Sequence, residues 1–243
     1  MTVSLPVTDH STAREYPKAV PALLAFVAGY VDATTFLAFS GLFVAQTTGS
    51  FVVAGTIVDT GSAAFVKVAA IPVFFLAGIA TTAVVRAFKA EQANALAIAL
   101  LTEALLIAGL LLTAVANPTD GTVAPLLGLA AMGVQSVTAR LLLTGYGSTN
   151  VMTTNLTQFS IDLEDSIAGY VHGTPARAAM NNAERLGAII LAFLAGVIVG
   201  ALGYRVTGMI GLALMVATLM GLAVWAVSPA NALNRDGEGR HNG

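Results

Sequence analysis

The chain has 243 residues, of which 56% are hydrophobic and only 10% are charged, whereas an ordinary soluble domain has about 25% charged residues. Its mean hydropathy of +0.82, its formal net charge of −2 and its 11 Lys and Arg residues exclude an ordinary soluble protein and a basic nucleic-acid-binding surface. The lack of cysteine excludes disulfides, thiol catalysis and thiolate metal sites. This composition predicts an all-α, polytopic membrane protein with no separate soluble domain.

The N-terminal segment, residues 1–18, is polar and precedes the first apolar run. That run is longer than the core of a signal peptide and lacks a small-residue cleavage site, so we expect an uncleaved first helix and a cytoplasmic N-terminal segment. At the other end, residues 228–243 are rich in Asn, Gly and Arg, and we predict a disordered tail.

Eight apolar segments follow one another between these ends: 19–40, 42–58, 64–85, 94–115, 123–144, 150–161, 186–203 and 206–227. Crossing the hydrocarbon core takes about 20 apolar residues. Segment 42–58 is only marginally long and is interrupted by a polar run, and segment 150–161 is too short and too polar to span in contact with lipid. Both are predicted to be broken or re-entrant helices, because non-helical backbone at membrane depth is tolerated only inside protein or beside a water-filled cavity.

The positive charges favour one topology. If the other six segments are full crossings, most basic residues fall at or on the cytoplasmic side, as the positive-inside rule requires. These residues are Arg14, Lys18, Arg86, Lys89, Arg140, Arg177, Arg185, Arg235 and Arg240. The loop 116–122, which has no Lys or Arg, then lies outside, and Arg205 is an exception to the rule. We therefore predict a multi-pass protein of the bacterial inner membrane with both termini in the cytoplasm.

The two halves of the chain resemble each other. At a constant offset, four residues of the first half align with four of the second: Ala28, Val31, Asp32 and Thr35 with Ala131, Val134, Gln135 and Thr138. Thr47-Thr48 then matches Thr153-Thr154, and the tetrapeptide FLAG at 75–78 recurs at 193–196. Residues 19–115 and 123–227 are therefore predicted to be two membrane repeats, each with three crossings and one broken helix. An odd number of crossings inserts the two copies in opposite orientations, which makes the repeat inverted.

Asp32 and Gln135 are polar residues inside the aligned first helices of the two halves. Inserting a charged residue at the centre of a membrane helix costs at least about 2.5 to 3.5 kcal/mol on insertion scales. Such a residue is therefore expected to have a function. The inverted repeat would place both side chains opposite each other near the midplane, where transporters bind substrates and coupling ions. We predict that they bind the solute or a proton. The alternative is that Asp32 only hydrogen-bonds Thr34, Thr35 or neighbouring backbone.

Two further charged residues are candidates for the same site. Glu103 lies at the centre of segment 94–115 and has no charged counterpart in the second half. It is predicted to be either a second proton-titrating site or a partner for Arg140. Arg140 lies about one turn from the cytoplasmic end of segment 123–144, where it can anchor the helix at the interface or contact an anion.

Two polar clusters coincide with the predicted breaks. The first consists of Gln46, Thr47, Thr48 and Ser50, and the second of Asn150, Thr153, Thr154, Asn155, Thr157 and Gln158. Unpaired N–H groups at the start of a half-helix carry the positive end of the helix dipole and can hold an anion or a polar solute. We predict that both clusters bind solute, facing each other across the centre of the protein. The alternative is that they only cap backbone or join helices.

Four runs of sequence carry a resemblance to a known family: AGYVDA at 28–33, FVAQTTGS at 43–50, GVQSVTAR at 133–140 and MTTNLT at 152–157. With these runs, residues 19–227 resemble the YoaK-like family of bacterial inner-membrane proteins, a domain of unknown function. The resemblance implies a polytopic membrane protein and supplies no substrate. The family commonly has Asn where this chain has Ser50 and Ser136, which argues against a role that requires an amide at those positions.

Together these features predict a secondary transporter or channel for a small polar solute, neutral or anionic, with a midplane site between inverted repeats. The alternative is a non-transporting membrane protein that binds a lipid or a protein partner. We expect no enzyme, because no nucleophile with an adjacent base is visible, and no nucleotide-binding loop, cofactor or metal site. The expected partners are the solute, a proton as coupling ion and membrane lipid, with no nucleic acid, and a homo-oligomer is left open.

Overall fold

The computed structural model of the protein describes residues 16–39, 41–45, 49, 51–52, 62–88, 91–119, 121–172 and 176–228. These residues form helices and connections, with no strand among them. The helices are α1 (Ala19–Ala38), α2 (Ser62–Ala87), α3 (Gln92–Ala116), α4 (Val123–Leu142), α5 (Met152–Val171), α6 (Arg177–Thr207) and α7 (Leu212–Val227). A 3-10 turn, Gly208–Gly211, joins α6 to α7, and residues 49 and 51–52 are also helical.

Five stretches of the described chain are long and apolar enough to cross a membrane: Ala19–Ala38, Phe65–Ala87, Gln92–Ala116, Val123–Leu142 and Arg177–Val227. Large apolar side chains face outward along them, and in α2 the side chains of Phe75, Leu76 and Ile79 are more than half exposed. Contiguous apolar surface of this kind is typical of contact with lipid. The prediction of an all-helical membrane protein is therefore confirmed.

The fifth stretch is longer than one crossing requires. A straight helix of its 51 residues would be about 77 Å long, against about 30 Å of hydrocarbon core. It is divided at Gly208, whose φ of 58° lies in the region that favours glycine, so α6 and α7 are separate helices. The six crossings of the sequence scheme require α6 and α7 to cross independently, and this count stays a prediction.

Helix α1 packs closely along α6, and glycines allow the approach. A Cβ built on Gly196 would collide with the carbonyl oxygen of Phe26, and one built on Gly200 would lie 2.7 Å from that of Tyr30. The contacts advance together along both helices, so α1 and α6 run parallel. This pairing joins the first helix of one half of the chain to a helix of the other half.

Helix α4 packs against both α2 and α3. Against α2, a Cβ built on Gly133 would lie 2.9 Å from the carbonyl oxygen of Phe74, and one on Gly78 would lie 3.3 Å from Val137, so these helices are also parallel. The loop 117–122 between α3 and α4 is too short to span the length of a crossing, because each residue covers at most about 3.6 Å. Helices α3 and α4 are therefore antiparallel.

The chain folds back into the bundle after α4. Residues 143–151, which we call the re-entrant stretch, are not helical, yet Thr149 and Asn150 near its end are fully buried beside the middle of α4. The Gln135 amide Nε2 donates to Thr149 Oγ1 at 2.9 Å, and Asn150 Nδ2 donates to Ser136 Oγ at 2.6 Å. Helix α5 begins there and leads away antiparallel to α6, since Phe159 lies against Gly187 and Asp162 against Asn182.

The prediction of a helix broken within 150–161 is wrong in its position. Helix α5 runs without interruption from Met152 to Val171, and the break precedes it. Two hydroxyl groups of this segment instead donate to carbonyls one turn back, Thr157 Oγ1 to Thr153 O at 2.9 Å and Ser160 Oγ to Leu156 O at 2.8 Å. Because this local bond satisfies the hydroxyl, a polar threonine does not require an interrupted helix. Helix α6 likewise begins at Arg177 rather than at residue 186.

The first half shows the corresponding return of the chain after its first helix. Beyond α1, the backbone N–H of Ala45 donates to the carboxylate of Asp32 at 2.9 Å, so residue 45 lies beside the helix that the chain has just left. The rest of the predicted broken segment 42–58, apart from residues 49 and 51–52, lies outside the described residues, as do residues 1–15 and 229–243. The predictions made for those parts are therefore not addressed by the structure.

Candidate functional site

A cavity of about 750 Å³ opens between the end of α4, the re-entrant stretch, the start of α5 and α6. This volume falls in the range of small-molecule sites, about 300 to 1,000 Å³. The polar side chains that line it are Ser136, Arg140, Thr144, Tyr146, Ser148, Thr154, Asn155, Gln158 and Asn182. The cavity extends from the end of the bundle that carries Arg140 to Ser136, beside the buried end of the re-entrant stretch.

The charges around the cavity favour negative or polar groups. Arg140 brings a positive charge, and no Asp or Glu is among the residues that line the cavity. Val151, which immediately precedes α5, also lines it, so the N-terminal end of α5 faces the space. The helix dipole places partial positive charge at that end, where backbone N–H groups can bind an anion.

Hydrogen bonds hold the re-entrant stretch against the start of α5. Asn155 Oδ1 accepts the backbone N–H of Ser148 at 2.9 Å, and Asn155 Nδ2 donates to the Ser148 carbonyl. Ser148 Oγ accepts the N–H of Val151 at 3.0 Å. Asn155 is almost fully buried, so its amide is used to fix the backbone rather than left open for a ligand. The Asn155 side chain therefore shapes the wall of the cavity.

Two polar residues beside the cavity, Asp162 and Asn182, were not predicted from the sequence. Asp162 on α5 is buried, accepts a hydrogen bond from Gln158 Nε2 at 3.0 Å, and accepts another from Asn182 Nδ2 on α6. Its partners Gln158 and Asn182 line the cavity. The spacing of Gln158 and Asp162, one helical turn apart, is the only part of this group visible in the sequence.

The structure brings only some of the predicted site residues together. Arg140, Thr154, Asn155 and Gln158 line the cavity, and Asn150 supports it by its bond to Ser136. Thr153 and Thr157 are exposed on α5 and do not line it. The first polar cluster, Gln46, Thr47, Thr48 and Ser50, lies outside the described residues. The predicted meeting of the two clusters at one central site is therefore not addressed.

Asp32 and Gln135 are both buried, but at different depths. Gln135 Nε2 donates to the carbonyl of Leu24 as well as to Thr149, each at 2.9 Å. Leu24 lies eight residues before Asp32 on α1, or about 12 Å along the helix axis. The two side chains therefore do not lie opposite each other as the repeat suggested. Asp32 accepts the backbone N–H of Ala45 and a second backbone hydrogen bond from Val44. Hydrogen bonding to neighbouring backbone was the predicted alternative to ligand binding for this residue.

Glu103 is completely buried in the middle of α3, and neither of its carboxyl oxygens has a hydrogen-bond partner in the part of the chain that the structure describes. Arg140 is exposed at the end of α4, so the predicted pairing of these two residues is not formed. Within the described ranges, no group of three or more His, Asp or Glu side chains is placed to hold a metal ion.

Comparison with known proteins gives one finding. The model of a family described as protein of unknown function (DUF1275) matches residues 20–226, which is most of the chain. No curated protein and no solved structure matches it.

Proposed function

Since the chain belongs to the DUF1275 family of proteins of unknown function, its activity has to follow from its own geometry, and we propose a transporter or channel for a small polar solute, neutral or anionic. The observation that carries this proposal is the cavity that runs from the Arg140 end of the bundle to the buried end of the re-entrant stretch. Most of the residues that line it carry polar side chains, whereas the outer surface of the bundle is apolar. Polar groups gathered in this way inside an apolar bundle suit a solute that lipid excludes.

The pairing of the helices supports an inverted repeat around this path. In the repeat, α1 corresponds to α4 and α2 corresponds to α6, because the aligned residues lie on those helices. Helix α1 packs parallel to α6, and α4 packs parallel to α2. The two pairs are therefore equivalent, because in each the first helix of one half packs on the corresponding helix of the other half. Asp32 and Gln135 also correspond in role, since each side chain holds the non-helical stretch that follows its own helix.

Within this proposal the residues have different roles. Arg140, Thr154 and the N-terminal end of α5 contact the solute, and Asn155 and Asn150 hold the re-entrant stretch in place. Asp32 and Gln135 support the two returning segments. No catalytic step and no cofactor is assigned.

We further propose that the protein lies in a bacterial inner membrane with both termini and the mouth of the cavity in the cytoplasm. The basic residues Lys18, Arg86, Arg140 and Arg177 all lie at helix ends that this scheme places inside. The loop between α3 and α4, which has no Lys or Arg, lies at the other end.

This topology predicts where a single cysteine is labelled. The chain has no cysteine of its own, so Gly121→Cys in the exposed loop between α3 and α4 reports on one side only. We expect a membrane-impermeant maleimide to label it from outside the cytoplasmic membrane, in spheroplasts. A cysteine in place of exposed Thr144, at the end of α4, is the matched control and should be labelled only in inverted vesicles. Labelling of Gly121→Cys from the cytoplasm alone would overturn the scheme.

The transport proposal predicts that a thiol reagent blocks the path from Thr154. In proteoliposomes, the purified protein should raise the permeability to at least one of urea, glycerol, formate and nitrate above that of empty liposomes. Thr154→Cys should keep this permeability until a bulky methanethiosulfonate fills the cavity, and the rate should then fall to that of empty liposomes.

Thr157→Cys is the matched control for the blocking experiment, because it is exposed on the same helix but does not line the cavity. The same reagent should leave its rate unchanged. If the unmodified protein adds no permeability to any of the four probes, the transport proposal fails and a role in binding lipid or a protein partner takes its place.

A further inference from the structure

Glu103 lies in the interior of the bundle at the same depth as Gln135. Gly128 of α4 contacts Leu110 of α3, which places these two residues opposite each other in the antiparallel pair. Glu103 lies seven residues before Leu110, and Gln135 lies seven residues after Gly128. Seven residues are close to two full helical turns, so each side chain returns to the face that makes the contact. Glu103 and Gln135 therefore face each other across the interface between α3 and α4.

The polar atoms at this position are all acceptors. The Gln135 amide nitrogen is already used, since it donates to the Leu24 carbonyl and to Thr149 Oγ1. Turning the amide around would bring its oxygen against the Leu24 carbonyl oxygen, so the donor contacts fix its orientation. Gln135 Oε1 and both Glu103 oxygens are buried and have no hydrogen-bond partner among the described residues. Three buried acceptors thus lack a donor, and buried polar atoms normally have one.

No positive charge in the described residues faces Glu103 from the helices around it. Helix α7 and the 3-10 turn before it contain no titratable side chain. On α2, Lys67 and Arg86 lie towards the two ends, and on α4, Arg140 is exposed beyond Gln135. On α1, Asp32 is bound to backbone N–H groups. An ionised carboxylate that is buried without a partner is strongly unfavourable, so the protonated form of Glu103 is favoured.

We propose that Glu103 and Gln135 form a proton-binding site between α3 and α4, in which the protonated carboxyl of Glu103 donates its O–H to Gln135 Oε1. One proton, taken up from water, turns one Glu103 oxygen into a donor and gives Gln135 Oε1 its partner. Gln135 links this site to the re-entrant stretch, because its other end holds Thr149. When the proton leaves, the carboxylate repels the amide oxygen of Gln135 and weakens the hold of its Nε2 on Thr149. The site is separate from the cavity and does not depend on the proposed solute.

Infrared spectroscopy of the full chain in lipid nanodiscs tests the protonation. At neutral pH we expect the C=O stretch of a protonated carboxylic acid, which Glu103→Gln abolishes and Asp32→Asn leaves in place. Gln135→Leu should keep the band but move it to the higher frequency of an acid without a hydrogen bond. If Glu103→Gln does not fold, the frequency change in Gln135→Leu still shows whether the band belongs to Glu103. An acid band that is absent, or unaffected by all changes at Glu103 and Gln135, would overturn the proposal. So would a band that sodium chloride abolishes, since a metal cation would then occupy the site.

Hydrogen exchange tests the link to the re-entrant stretch. As the pH is raised until the acid band disappears, the amides of residues 143–151 should exchange several-fold faster in the wild-type protein than in Glu103→Gln at the same pH. The comparison at equal pH cancels the intrinsic base catalysis of exchange, because both proteins share it. Equal rates in the two proteins at every pH would show that Gln135 does not transmit the loss of the proton.

Discussion

Replacing Gly196 by alanine is expected to separate α1 from α6. The added methyl would collide with the backbone carbonyl of Phe26, and backbone cannot move aside as a flexible side chain does. Overpacking of a close contact costs about 1–3 kcal/mol and occasionally more. We expect a loss of stability at the upper end of that range, and Gly196→Leu should abolish the folded protein. Thermal unfolding in detergent, followed by loss of the monodisperse peak on size exclusion, measures the effect.

Gly221→Ala on α7 is the matched control for this substitution. It also adds one methyl to a glycine inside a membrane helix, but nothing lies within 4 Å of the new Cβ. Because alanine favours the helix over glycine by about 1 kcal/mol, this variant should be neutral or slightly more stable. Equal destabilisation by Gly196→Ala and Gly221→Ala would mean that the contact of α1 with α6 does not hold the bundle together.

The second large effect is expected at Asp32. Asp32→Leu removes the acceptor for the N–H of Ala45 and leaves that buried group without a partner, at a cost of about 1–3 kcal/mol. Asp32→Asn keeps an acceptor oxygen and loses only the added strength of a charged hydrogen bond, so it should lose about 1 kcal/mol. Unfolding measurements on both variants test whether Asp32→Leu is less stable than Asp32→Asn. A fully stable Asp32→Leu would show that Ala45 finds another acceptor.

Solute flux through the Asp32→Asn variant distinguishes a carboxylate that only holds the returning chain from one that binds a ligand. A permeability equal to that of the wild type means that the carboxylate only holds the returning chain. A permeability lost in a folded Asp32→Asn protein means that Asp32 binds the solute or its coupling proton, as the sequence suggested.

The class of the protein and most of its crossings could be predicted, because they depend on runs of apolar residues that are visible along the chain. The start of α5 could not. The sequence shows that polar residues, Thr153, Thr154 and Thr157, lie at this depth. It does not show whether a threonine hydroxyl bonds to a carbonyl of its own helix or lies at a break in the helix. The break itself falls on residues 143–151, where Gly145 and Gly147 are a turn signal directly after an apolar run.

The parts of the candidate site were predicted unequally for a similar reason. Arg140 and Asn155 are polar residues near helix ends, so their role beside a cavity could be anticipated. The bond of Asp162 to Asn182 joins two helices, and its geometry depends on how α5 packs on α6. The alignment of Glu103 with Gln135 depends on the register of α3 against α4. Such registers are decided by side-chain packing, which one sequence does not display.

The parallel pairing of α1 with α6 also has a consequence for synthesis in the cell. Phe26 and Gly196, which are in contact, are separated by about 170 residues of the chain. A ribosome adds about 5–20 residues per second, so α6 is synthesised roughly 10 to 30 s after α1. During that interval the face of α1 that carries Gly29 and Tyr30 is covered only by lipid or by an insertion chaperone. Nascent chains that stall before residue 196 therefore present the quality-control proteases with a first helix that has no packing partner, however well α2, α3 and α4 have already assembled.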